Sequence, residues 1–193
     1  MGESRSWVAI RGLERAEVAA RLDCADTDEP ADRRAELALG QLSDGWLVIV
    51  CSRFDFVASR QLSELSKGAE LAACQIEEHV MFSAAYGFRD GVQTWSVAHD
   101  PDKGLYNLEI EGTPPPELDA IRAQLRSQQD AEGGEEADVD FIFEAASDLV
   151  AALSGYRHNY DDAVALTWLR PLRTRPRPIR RGFLQSLFGR RPA

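Results

Sequence analysis

The chain reads as an α+β protein with an antiparallel or mixed sheet. Its N-terminal part follows the strand order of the ferredoxin-like β-α-β-β-α-β motif, a further β-hairpin extends it, and the helices are expected on one face. Three observations predict this class. The dipeptides Asp44-Gly45 and Asp90-Gly91 each sit between two apolar runs, which is the signature of a hairpin. Segments with apolar residues at helical spacing alternate with those runs. Hydrophobic residues make up 44% and charged residues 28% of the 193, so a packed core can offset the entropy of ordering the chain.

Taken in order, Trp7 to Arg11 is a short strand and Leu13 to Leu22 a helix whose apolar side is Leu13, Ala16, Val18, Ala20 and Leu22. Asp23 to Arg34 supplies acids and Pro30 but little to bury, and is expected to be a mobile loop. LALGQL and WLVIVC flank Asp44-Gly45, and the second run is apolar on both sides, which makes Trp46 to Cys51 an interior strand. Phe54 to Lys67 follows as a helix with Gly68 at its cap. Glu70 to Ile76 is a strand, separate or bending through Glu77-Glu78-His79. Around a two-residue turn at Asp90-Gly91, the expected pairs are Phe88 with Gln93, Tyr86 with Trp95, Ala84 with Val97 and Phe82 with His99.

Leu105 to Ile110 is a further strand. Thr113 caps a helix bearing Leu118, Ile121 and Leu125 and ending at Gly133-Gly134. Val139 to Phe143 is a candidate short strand, Ser147 caps a helix to Gly155, and Ala163 to Leu169 adds a last helical turn or two. The division expected is one domain over 1–160 and a basic, proline-rich tail over 161–193.

Charge divides the chain sharply. Eight of the 22 basic residues, all arginines, lie beyond residue 169 together with none of the 32 acids, which leaves 14 bases against 32 acids before it, a balance of −18. Such a body repels nucleic acid and attracts cationic surfaces. Pro171, Pro176 and Pro178 keep the start of the tail extended. Beyond them Arg180 and Arg181 precede an apolar group, Phe183, Leu184, Leu187 and Phe188, closed by Arg190 and Arg191. That segment suits docking to a groove, an anionic membrane surface or nucleic acid, or it is a tail kept in solution by its arginines. The start MGESRSWVAI lacks a secretory signal, and the longest apolar run has six residues where a spanning helix needs about 20. Three widely spaced cysteines without a CxxC pair fit a reducing cytoplasm.

Chemistry-bearing residues concentrate at Glu77, Glu78 and His79, at His99 and Asp100, and at His158. Carboxylates beside imidazoles divide general acid and base roles or hold a divalent ion. The spacing matches no zincin, and the chain has no GxGxxG, P-loop or GxSxG, so neither a cofactor nor a metal site is assigned. Glu78 shares strand parity with Cys74 and Ile76, so an unbroken strand would carry a carboxylate into the core. Cys74 has no imidazole near it in sequence and reads as a buried structural thiol.

CQIEEHVMFSAAYGFRDGVQTWSVAHD, with GWLVIVCSRFDF before it and GYRHN after it, resembles a bacterial protein type of uncharacterised open reading frames. The resemblance implies a bacterial cytoplasmic setting and no activity. Two function classes stand. One is a non-enzymatic binding or regulatory protein, such as an immunity-type inhibitor, whose acidic body engages a basic protein partner. The other is a small enzyme, with or without a metal ion, built on Glu77, Glu78, His79, His99 and Asp100.

Overall fold

A computed structural model describes residues 2–32, 35–158 and 164–172. Among these residues nine strands form one antiparallel sheet: β1 (Ser4–Arg11), β2 (Cys24–Pro30), β3 (Leu37–Gln41), β4 (Trp46–Cys51), β5 (Glu70–Glu77), β6 (Phe82–Arg89), β7 (Val92–His99), β8 (Glu109–Gly112) and β9 (Leu166–Pro171). Across the sheet they run β2-β9-β3-β4-β1-β5-β6-β7-β8. Among the described residues four α-helices accompany them: α1 (Arg15–Arg21), α2 (Ser59–Leu65), α3 (Glu117–Ala131) and α4 (Ala145–Ser154). Among the described residues no helix is long and apolar enough to cross a membrane.

The middle strands carry apolar residues on both sides, and this decides the layering. In β1 Trp7, Val8, Ala9 and Ile10 are all 0% exposed. Val8 and Ile10 face a core closed by Val18 of α1 and by Leu62 and Leu65 of α2. Trp7 and Ala9 face a second core closed by Leu118 of α3, by Leu149 and Val150 of α4, and by Tyr156. Helices therefore cover both faces of the sheet, not one. A strand with no polar alternation must be covered twice, because either uncovered face would leave large apolar side chains in water.

β4 lies between β3 and β1, so the interior placement of Trp46 to Cys51 holds. Its link to β3 is longer than the expected two-residue turn: Leu42 N donates to Trp46 O at 2.8 Å, and Asp44 and Gly45 both take positive φ. The Asp90-Gly91 turn forms as expected, with φ of 50° and 82°. The register behind it differs. Phe88 pairs with Gln93, but a bulge follows, so Gly87 pairs with Trp95, Tyr86 with Ser96, Ala85 with Val97 and Ser83 with His99. The reason is Gly87: a Cβ there would fall inside contact with Trp95 Nε1 and Cε2, so the indole occupies the space a side chain would take.

Other expectations are corrected by pairing partners distant in sequence. Asp23 to Arg34 contains β2, an edge strand whose Thr27 hydroxyl donates to Trp168 O at 2.9 Å and whose Asp26 takes both arms of Arg15 at 2.9 and 3.0 Å. An edge strand has one neighbour and little to bury, so acids on it are no obstacle. Residues 166–171, placed in the tail and partly in a helical turn by the sequence reading, are β9, which fills the gap between β2 and β3. The strand expected at Leu105 to Ile110 is reduced to β8, which starts at Glu109. Val139 to Phe143 gives no strand, and Ile142–Glu144 is a 3-10 turn leading into α4. Ser147 lies inside α4, and neither α3 nor α4 has a side-chain cap.

Candidate functional site

β5 ends at Glu77 and β6 begins at Phe82, with Glu77 opposite Phe82, so Glu78 to Met81 form a tight turn. Met81 accepts a φ of 51° to close it. The turn carries Glu78 out of the strand, which removes the cost of a carboxylate in the core. At the same end of the sheet Ser4 pairs with Glu77, which sets Glu3 beside Glu78. Glu78 N donates to Glu3 O at 2.9 Å, and Glu3 N donates to Glu78 Oε2 at 2.8 Å.

Glu77 and His79 pair with one another, Oε1 to Nδ1 at 2.6 Å, on the outside of the turn. Burial works against the charged form of Glu77, yet hydrogen bonds from Ser4 and His79 outweigh it and hold its carboxyl below the usual value. His99 is elsewhere and sealed, with 0% exposure. Its Nδ1 meets Asn107 O and its Nε2 meets Asp140 Oδ2, both at 2.8 Å. Burial favours the neutral ring, but those two bonds and the Asp140 charge prevail, so the imidazole pKa is raised. Asp100 accepts from Asp102 N and shapes the turn after β7.

His158 joins Glu78 from the far end of the chain. α4 stops at Gly155, which takes a φ of 78°, and the chain folds back over Trp7. Tyr156 meets the Trp7 ring edge-on at 6.3 Å, and His158 stacks on it at 4.9 Å and 23°. Ligand atoms of Glu3, Glu78 and His158 all lie within 4.8 Å of one another. Glu144 is close by, its Oε2 buried with no hydrogen-bond partner among the described residues. Burial first, then the charges of Asp148 and Glu78, push its carboxyl pKa up against the pull of Arg157.

The turn also forms one wall of a groove of about 670 Å³, whose opposite wall is Ala137 to Asp140 with Phe143 and Glu144. Glu78, Asp138, Asp140 and Glu144 contribute carboxylates to its lining, which contains neither lysine nor arginine. Val80 and Val139, 60% and 48% exposed, also line it.

The structure thus separates the predicted residues. Glu77 pairs with His79 outside the turn, His99 belongs to a closed polar contact with Asp140, Asp100 shapes the turn after β7, and Glu78 meets His158. Glu3, Asp140 and Glu144 escaped the sequence reading. Only the pairing of Ser4 with Glu77 signals Glu3, and it emerges once the start of β1 is laid against the end of β5. All three cysteines are buried and form no disulfide; burial and the Glu144 charge drive the Cys74 thiol well above its usual pKa, which disfavours the thiolate a nucleophile needs. Ser83 is also occupied, donating to Phe143 O at 2.7 Å. The eight tail residues from Arg180 to Arg191 assigned to docking lie outside the described residues.

No protein-family model, no curated protein and no solved structure matches this chain.

Proposed function

We propose that this protein is a non-enzymatic binding module whose acidic groove receives a basic, partly apolar segment of a protein partner. The observation that carries this reading is the groove lining: four carboxylate residues, neither lysine nor arginine, one imidazole at His79 that is already paired with Glu77, and two exposed valines. A ligand that alternates cationic and aliphatic side chains would satisfy both features, and the −18 balance before the tail would speed its approach. Such a surface suits a regulator or an inhibitor of a cationic protein.

The enzyme reading has less behind it. A general acid or base must reach the proton it moves, and His99 is sealed while Glu77 and His79 satisfy each other at the surface. The split β-α-β reading of the N-terminal part draws support from the run β3-β4-β1-β5 and from α1 and α2 sharing one face. That architecture hosts many activities and selects none.

The test is fluorescence anisotropy with a labelled peptide of alternating arginine and leucine. Binding is expected to weaken at least tenfold between about 50 and 300 mM salt. Asp138→Asn with Glu144→Gln should weaken it and flatten the salt dependence, while Val80→Ser should weaken it and leave that dependence intact. Absence of binding at low salt, or binding that ignores all three substitutions, overturns the proposal.

A further inference from the structure

We infer that Glu3, Glu78 and His158 form a binding site for a divalent transition-metal ion, of which Zn²⁺ and Mn²⁺ fit the ligands best. The site abuts the acidic groove, sharing Glu78 with its lining, but an ion needs no partner in the groove to bind. Two ligands each about 2.1 Å from a common ion stand roughly 3 to 4 Å apart. Ligand atoms already gathered within 4.8 Å therefore need only small side-chain adjustments to share one.

Each ligand is held by a different part of the fold. Glu3 and Glu78 are fixed to each other by two backbone-anchored bonds, and the imidazole is clamped by its stacking on Trp7. Glu3 Oε2 stands 3.2 Å from Arg5 Nε, and Glu78 Oε2 accepts from Glu3 N, so each carboxylate keeps a second oxygen for an ion. Such positioning by neighbours is what a ligand shell requires.

A second observation points the same way. Glu144 lies outside the group of three but near enough to feel the Glu78 charge, and its buried Oε2 has no hydrogen-bond partner among the described residues. Two carboxylates gathered with one imidazole, and a third nearby, concentrate negative charge that a divalent ion would neutralise. One imidazole with carboxylate oxygens is a mixed set. Imidazole disfavours Mg²⁺ and Ca²⁺, and the absence of thiolate disfavours Cu⁺, which leaves borderline Zn²⁺ and, through the two carboxylates, the harder Mn²⁺. Three protein ligands leave coordination positions for water.

The experiment is calorimetric titration of the EDTA-stripped full chain with ZnCl₂ and, separately, MnCl₂, alongside thermal melts with and without each ion. One ion per chain at micromolar Zn²⁺ is expected, with a melting temperature that rises with ion concentration. Glu78→Gln and His158→Asn should each weaken binding at least tenfold, and Glu3→Gln at the exposed end of the strand should do so without disturbing the fold. His79→Asn, an exposed imidazole outside the site, should bind like wild type. Failure of both ions to bind stoichiometrically below 1 mM, or Glu3→Gln binding as tightly as wild type, overturns the inference. Loss of binding in His79→Asn alone overturns the ligand assignment.

Discussion

Gly87→Ala tests the bulged register of β6 and β7 directly. The new methyl would fall inside contact with Nε1 and Cε2 of Trp95 and 2.6 Å from its Cδ1. The indole is 7% exposed and cannot swing away without giving up packing in the core below α3 and α4. Overpacking of this kind costs about 2 kcal/mol. For a body of this size each kcal/mol moves the melting temperature by about 2–4 °C, so a drop of about 4–8 °C is expected in thermal unfolding followed by circular dichroism. Trp95→Leu will destabilise by itself, but it makes room. The double variant should therefore fall short of the sum of the single losses by about 1 kcal/mol or more. In an unbulged hairpin Gly87 would stand opposite Thr94, and alanine in a strand would be neutral or mildly stabilising. A Gly87→Ala protein within about 0.5 kcal/mol of wild type, or additive losses in the double variant, would refute the register.

The sealed pair of His99 and Asp140 makes stability depend on pH. Because the folded imidazole pKa is raised, its contribution is fully present below the unfolded value of about 6.5 and is lost as pH rises through the folded value. Asp140→Asn should cost about 1.5–3 kcal/mol below pH 6 and flatten the profile between about pH 6 and 8; a urea-midpoint profile unchanged in shape would contradict this. Two truncations test the membership of β9 in the sheet. Ending the chain at Leu172 should leave the melting temperature within about 2 °C, whereas ending it at Ala163 removes the strand between β2 and β3 and should abolish the cooperative transition. A cooperative melt retained when the chain ends at Ala163 would place β9 outside the fold.

Elements whose signals are local were legible in the chain: the Asp90-Gly91 turn, the apolar run of β4, and the stripe of Leu118, Ile121 and Leu125 on α3. The elements that escaped depend on distant partners. β2 carries Asp26, Asp28 and Glu29 because an edge strand tolerates them, and those acids imitate a loop. β9 sits at the margin of an arginine- and proline-rich stretch, so composition masked Leu166, Trp168 and Leu169. The hairpin register was misjudged because both faces of β6 are apolar: Ala85 and Phe88 serve opposite cores, so gathering large residues on one face was the wrong criterion. The site divides in the same way. Glu78 and His158 stood out by residue type, while Glu3 joined them only through a pairing that spans 75 residues.

The place of β9 also sets a clock on how the molecule assembles. Thr27 waits for Trp168, 141 residues later. At a synthesis rate of about 5–20 residues per second, its partner emerges some 7–28 s after it. During that interval β3 is a raw edge and β2 has nothing to pair with, a state that invites other chains to add themselves. The acids that hid β2 among loops are what protect it then, since a strand bearing Asp26, Asp28, Glu29 and Pro30 makes a poor template for a stranger. The flank can close only once β9 has been made, because β9 lies between β2 and β3 and its Arg170 meets Glu29.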